Sequence, residues 1–225
     1  MAGKTANDLP KAGVKMAFSN PESKTASASG KVSTKAEEGQ KILRDSLDKT
    51  PKAEYLPGKT PEAILKGRPD PTDPTKIIHD LPETYLDPDY IIAHNKQFEN
   101  GVTKFQSESQ RLSDIANYGD SLGSPKGQFV FPKDYADEMI NASGGSPREL
   151  ERLLGLKQGE LGDNPLRFDI DKADNIRIPS GNEPGSAQNE LWRPGGYTYP
   201  GGVPEAVIDQ VQPGKFNSSH VFGGE

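Results

Sequence analysis

The stretch Arg177–Val207, RIPSGNEPGSAQNELWRPGGYTYPGGVPEAV, constrains this chain more than any other. It holds the only tryptophan, two Gly-Gly pairs, two arginines and three glutamates. Glycine loses more backbone freedom on ordering than any other residue, so glycines persist where a chain must turn tightly or approach something closely. A segment this dense in turn residues and ionisable groups cannot be one long helix or one wide sheet. It reads as a set of turns joining short strands, with side chains available for binding or catalysis.

Composition restricts the rest. Hydrophobic residues make up 32% of the 225, a low share for a globular chain, while Gly 24 and Pro 20 are both high. Part of the chain is therefore expected to lie outside any core. The net charge of −6, without a basic stripe, argues against nucleic acid as the main partner. The lack of cysteine excludes disulfides, zinc–thiolate sites and a cysteine nucleophile. No apolar run approaches the ~20 residues needed to span a bilayer, and the N-terminal stretch carries no apolar signal core.

The expected fold class is α+β. Residues 1–80 read as largely linker, rich in Lys, Ser, Thr, Pro and Gly, with one short helix near Glu38–Leu47. Residues 81–120 read as a helical segment. Asp87-Pro88 is a good start, and Tyr90, His94, Phe98, Val102 and Phe105 recur at helical spacing. Leu112, Ile115 and Ala116 extend that stripe to Gly119, with Gly101 a point where it could divide. Residues 121–225 read as a small β-rich unit with long Gly-rich loops. Its expected parts are a strand at Gly127–Phe131, a helix at Lys133–Ala142, a capping box at Ser146–Glu149, and strands at Leu166–Ile170, Asn175–Pro179, Gly196–Tyr199 and Val203–Val211.

Several residues could carry chemistry. Glu205 follows Gly201-Gly202-Val203-Pro204 and precedes Ala206-Val207-Ile208, at the junction of a turn and a strand. Trp192 offers a plate for a planar ring, and Arg193 beside it a guanidinium for phosphate oxygens. Arg167 and Arg177, on successive expected strands, could hold an anion, and Ser180 lies in the polar turn PSGNE. His94 falls on an apolar helix face, where a core role is the ordinary one. There is no Ser–His–Asp ordering, metal-ligand spacing or Walker loop, so no metal is expected.

The layout Arg177-Ile178-Pro179-Ser180-Gly181, then Glu190-Leu191-Trp192-Arg193-Pro194-Gly195-Gly196, then Gly201-Gly202-Val203-Pro204-Glu205-Ala206, is similar to C-terminal toxin domains of bacterial polymorphic toxins and secreted effectors. Among these it most resembles the NAD-consuming enzymes, the necrotizing-toxin-type NAD glycohydrolases and, more loosely, the ADP-ribosyltransferases. The resemblance implies NAD as substrate and Glu205 as the catalytic group. It assigns nucleotide holding to Arg167 or Arg177 together with Ser180, Trp192 and Arg193. It also implies delivery by a secretion machinery without an ordinary signal peptide, action in a target cytoplasm, a neutralising immunity protein, and a protein or RNA acceptor if ADP-ribose is transferred. In this chain Val203 and Pro204 separate the glycines from Glu205, whereas that family's polar residue comes soon after three glycines.

Two other classes are open on the sequence. One is a metal-independent RNase using Arg177, Glu183, Glu190 and His220. The other is a non-enzymatic module whose loops bind another protein.

Overall fold

Alternation of apolar and polar residues builds a five-stranded antiparallel sheet, with helices packed on one face and mainly loop residues closing the other. The computed structural model describes residues 29–186 and 189–222; residues 1–28, part of the expected linker, lie outside them. In chain order the elements are α1 (Ser29–Leu47), α2 (Pro61–Lys66), β1 (Arg68–Pro69), β2 (Ile77–Ile78), a 3-10 turn (Pro82–Thr84) and α3 (Pro88–Lys96). There follow β3 (Val102–Gln106), α4 (Glu108–Tyr118), β4 (Gln128–Pro132), α5 (Lys133–Ala142), α6 (Pro147–Leu154), β5 (Leu166–Ile170), β6 (Ala206–Ile208) and β7 (Asn217–His220). The large sheet has the order β6-β4-β3-β5-β7, and β1 and β2 form a separate antiparallel pair.

Period-two alternation sorts the sheet's side chains into two cores. Val102, Val130, Phe168, Ile170, Ala206 and Ile208 gather on one face with Phe98 and Leu122. On the other face Phe105 and Phe131 pack against Met139 of α5, Leu150 and Leu154 of α6, and Leu43 of α1. A third cluster joins Ile64, Tyr85, Leu86 and Tyr90 to Ile178 and Trp192, fastening the N-terminal half to the Trp192 loop.

Several expectations need correction. Residues 29–80 are ordered, although read as linker. The helix expected at Glu38–Leu47 runs from Ser29 and packs on α5, and it can do so because Gly39 has no side chain. A Cβ there would stand 2.7 Å from the Asn141 carbonyl carbon. Close backbone approach thus replaces the broad apolar stripe that a sequence pattern would reveal.

The stripe from Tyr90 to Ala116 is not one helical face. Gly101, at φ 98°, turns the chain, and VTKFQ continues as β3. Positions 102 and 105 fit a helical period as well as a strand, so spacing alone misleads here. In α4 the orientation is the reverse of that expected: Leu112 is 69% exposed while Asp114 is buried.

In the last third, Arg177 bridges only to Val207 and Tyr197 only to Pro204, so neither segment extends into a strand. The Ser146–Glu149 capping box is half formed. Ser146 Oγ accepts from the Glu149 amide at 3.3 Å, but the Glu149 carboxylate turns to Arg152 and the Ser146 amide donates to Ser143 O. No helix among the described residues is long and apolar enough to cross a membrane.

Candidate active-site cleft

The cleft begins where the central sheet comes apart. Strands β3 and β4 are in register only at Val102↔Pro132 and Thr103↔Phe131. The residues beyond, Lys104–Gln106 on β3 and Gln128–Phe129 on β4, line a cavity of about 580 Å³. That volume falls within the range of small-molecule sites. Strand β3 stays paired with β5 over five residues, and β4 with β6 over three, so the fork is held open by sound ladders on either side.

Glu205 reaches this cleft from the residue preceding β6. A reversal over residues 197–204 sets its position, with Thr198 N donating to Val203 O and Glu205 N to Gly196 O at 2.8 Å. Three consecutive carbonyls upstream are gripped by the N-terminal half. Tyr55 Oη donates to Pro194 O, Tyr90 Oη to Gly195 O and the His94 Nε2–H to Gly196 O. Gly196 is at φ 79°, and a Cβ there would lie 2.5 Å from His94 Nε2, so the grip requires glycine. Burial holds the His94 pKa below its ordinary value.

Trp192 forms another wall of the same cavity. Its indole lies 4.9 Å from the His79 ring and against Gly181, where a Cβ would meet it at 2.7 Å. His79 is itself clamped to Asn182, its amide donating to Asn182 Oδ1 and its carbonyl accepting from Asn182 Nδ2. Phe129, Leu191, Tyr197 and Tyr199 complete the apolar lining.

Burial, with the nearby Glu183 carboxylate adding to it, pushes the Glu205 carboxyl up to about 8. Among the described residues no side chain hydrogen-bonds to it. Lys104, half-buried on β3, is the cation at the fork. Burial brings its pKa down to about 8, with Asp114 opposing and Arg111 reinforcing the shift. Four residues of the lining each carry one buried polar atom without a partner among the described residues: Gln106 Oε1, Gln128 Oε1, Ser186 Oγ and Trp192 Nε1. An unpaired buried polar atom costs about 1–3 kcal/mol, so the walls of this cleft are less fully hydrogen-bonded than an ordinary core.

The structure therefore brings Glu205 and Trp192 together and withholds the arginines. Arg167 pairs with Asp137 and Asp169 beside the β5 ladder. Arg177 pairs with Asp209 at 3.0 Å. Arg193 donates to the carbonyls of Glu190 and Trp192 and stacks 4.4 Å from the centre of the Tyr199 ring, at the margin rather than in the lining. Ser180 closes its own turn, its amide and hydroxyl both donating to Glu183 at 2.9 Å. These residues are held by close acidic or backbone partners that spacing alone did not disclose.

Three of the four residues considered for RNA cleavage are held by separate partners. Arg177 is at Asp209, Glu183 in the Ser180 turn, and His220 on the exposed edge strand β7, 3.9 Å from Glu108. Sequence reasoning missed Lys104, Gln106 and Gln128. One signal was present: in VTKFQ the lysine and glutamine alternate with the core residues Thr103 and Phe105, at positions where a two-sided core admits only a polar side chain with a task.

A scan against protein-family models matches none, and a search of curated proteins finds no significant relative.

Proposed function

We propose that this chain consumes NAD at the β3–β4 fork, cleaving the bond between nicotinamide and ribose, as hydrolase or as ADP-ribosyltransferase. One observation carries the reading: Glu205, with no hydrogen-bond partner among the described residues and a pKa raised to about 8, shares a cleft of about 580 Å³ with Trp192. A carboxyl group so poised is neutral in the empty cleft at pH 7. The pyridinium ring of NAD brings a positive charge, which favours the ionised carboxylate. Substrate binding thus releases a proton and prepares the anion that the reaction needs.

In the cleavage step the C1′–N bond breaks and its electron pair passes to the ring nitrogen, releasing neutral nicotinamide. The ribose takes on oxocarbenium character, as in glycoside cleavage. The Glu205 carboxylate steadies that charge through the ribose 2′-hydroxyl, and Trp192 with Tyr197 and Tyr199 gives the departing ring an apolar wall. Water adds its oxygen to C1′ and loses a proton to solvent; in a transferase an acceptor nucleophile takes its place. Lys104 replaces the arginines as the cation facing the pyrophosphate.

The resemblance to effector toxins supports a wider reading, in which this chain is delivered into a target cell and held in check by an immunity protein. The test is NAD concentration after mixing with purified protein, followed by mass spectrometry of a treated lysate. Loss of NAD with a protein mass gain of ADP-ribose identifies a transferase, and loss without it a hydrolase. Unchanged NAD in both settings overturns the proposal.

A further inference from the structure

Of the three candidate arginines, only Arg193 keeps an uncancelled charge. Arg167 and Arg177 are each ion-paired with aspartate. Arg193 Nη1 instead donates to two neutral carbonyls, Glu190 O at 2.8 Å and Trp192 O at 2.7 Å, and among the described residues no carboxylate pairs with it. Those bonds hold its guanidinium over the Tyr199 ring, 4.4 Å from the ring centre. Tyr199 lines the cleft and Arg193 does not, so the cation backs the ring on the side away from the cavity. The Tyr199 backbone is seated on Gly155, where a Cβ would stand 2.8 Å from Tyr199 O, and the residue stays 48% exposed.

An aromatic face ordinarily attracts a cation. With a guanidinium already behind it, this one adds repulsion, because arginine stays charged at every relevant pH. The effect matters for a ring that changes charge. The nicotinamide ring is a pyridinium cation in NAD and neutral once released. When the C1′–N bond breaks and its electron pair passes to the ring nitrogen, positive charge leaves the wall and moves onto the ribose. Arg193 thus pushes from behind the wall, while Glu205 steadies the charge where it arrives.

Resting on the reading of the cleft as an NAD site, we propose that Arg193 is a positioning residue acting through Tyr199, disfavouring a cationic ring against that wall and so promoting departure of neutral nicotinamide. A stacked ring would lie roughly 3.5–4 Å beyond Tyr199, and hence roughly 8 Å from the guanidinium. In the effective dielectric near a protein surface, repulsion at that range corresponds to about thirtyfold in binding. Solvent and salt at the exposed ring reduce it to about three- to tenfold.

Nicotinamide and 1-methylnicotinamide, a neutral ring and its permanently cationic analogue, are titrated against the wild type and Arg193→Met. Neither probe contains the ribose bond, so neither is turned over. Quenching of Trp192, the only tryptophan and a residue of the lining, reports occupancy. Arg193→Met, which keeps an apolar stem and removes the charge, is expected to shift the binding ratio at least about threefold towards the cation. Arg193→Lys, which keeps the charge, is expected to hold the wild-type ratio within about twofold. With NAD as substrate, Arg193→Met is expected to lower KM and kcat together, the signature of relieved ground-state repulsion rather than of lost binding. Arg193→Gln, which retains a donor for the two carbonyls, takes the place of Arg193→Met if that variant does not fold.

An unchanged ratio, equal weakening of both rings, no binding of either, a raised KM with kcat intact, or an Arg193→Lys protein that shifts like Arg193→Met overturns the proposal. NAD loss without a shifted ratio removes this role and leaves the proposed reaction standing. A shifted ratio without NAD loss keeps the backed ring as a reader of ring charge and removes the reaction.

Discussion

Glu205→Gln keeps the size of the side chain and removes its charge, and the surroundings of Glu205 set what this does to stability. The folded-state pKa is raised from 4.5 to about 8, first by burial and then by Glu183. Between those values the folded protein binds a proton that the unfolded chain has lost, so wild-type stability falls as pH rises through the window. The contribution is intact below the unfolded value and lost by the time pH passes the folded one. Each pKa unit corresponds to roughly 1.4 kcal/mol, which sets a ceiling of roughly 4–5 kcal/mol over the whole window. Water reaching the partly exposed carboxyl lowers this to about 2–3 kcal/mol. Glutamine has no such dependence, so the variant is expected to gain on the wild type as pH rises and to melt roughly 5–10 °C higher at the alkaline end. Urea unfolding followed by Trp192 fluorescence, at about pH 5 and about pH 8.5, measures the difference, and groups common to both proteins cancel. A gap between variant and wild type that stays constant within about 0.5 kcal/mol across those conditions rules out a raised Glu205 pKa.

Further perturbations test the frame that aims the site. Tyr90→Phe leaves the buried Gly195 carbonyl without its donor and is expected to lower stability by about 1–3 kcal/mol in chemical denaturation; an unchanged midpoint would remove the three-carbonyl grip from the account. His94 is buried with its pKa held below 6.5, so the unfolded chain takes up the proton first and stability falls as pH drops below about 6.5. His94→Gln is expected to flatten that acid limb, and an identical limb in both proteins would count against a neutral His94. Gly201→Ala drives a Cβ to 1.9 Å from Leu153 O, a clash with rigid backbone expected to lower the melting temperature by roughly 5–10 °C; an alanine protein melting with the wild type would mean the 197–204 reversal is not packed as described.

Where local physics decides, the sequence is a reliable guide. Alternation in LRFDI produced strand β5 with the expected bounds, and the Asp87-Pro88 and Ser146-Pro147 starts are used as caps. Lys133–Ala142 is likewise the helix expected after Pro132. Other features rest on partners distant in the chain. Helix α1 is ordered by close approach of Gly39 to Asn141, over a hundred residues away, which its mostly polar sequence does not announce. Edge strand β7, with the sequence NSSH, has no apolar alternation and exists because β5 offers a free ladder. The candidate site divides along the same line. The turn chemistry before Glu205 and the lone indole at Trp192 could be read locally, and the two do share a cleft. The arginines could not be assigned, because their fate depends on Asp137, Asp169 and Asp209. The fork beside Lys104, Gln106 and Gln128 is a failure of pairing between two strands, a property of neither strand alone.

The most direct test of the reaction is the fate of NAD incubated with purified wild-type protein and, in parallel, with Glu205→Gln. The wild type is expected to release nicotinamide and the folded variant to lose at least about a hundredfold of that rate, the scale of one missing transition-state contact. A folded Glu205→Gln protein that destroys NAD as fast as the wild type, or a wild-type protein that leaves NAD intact, would contradict the proposed reaction.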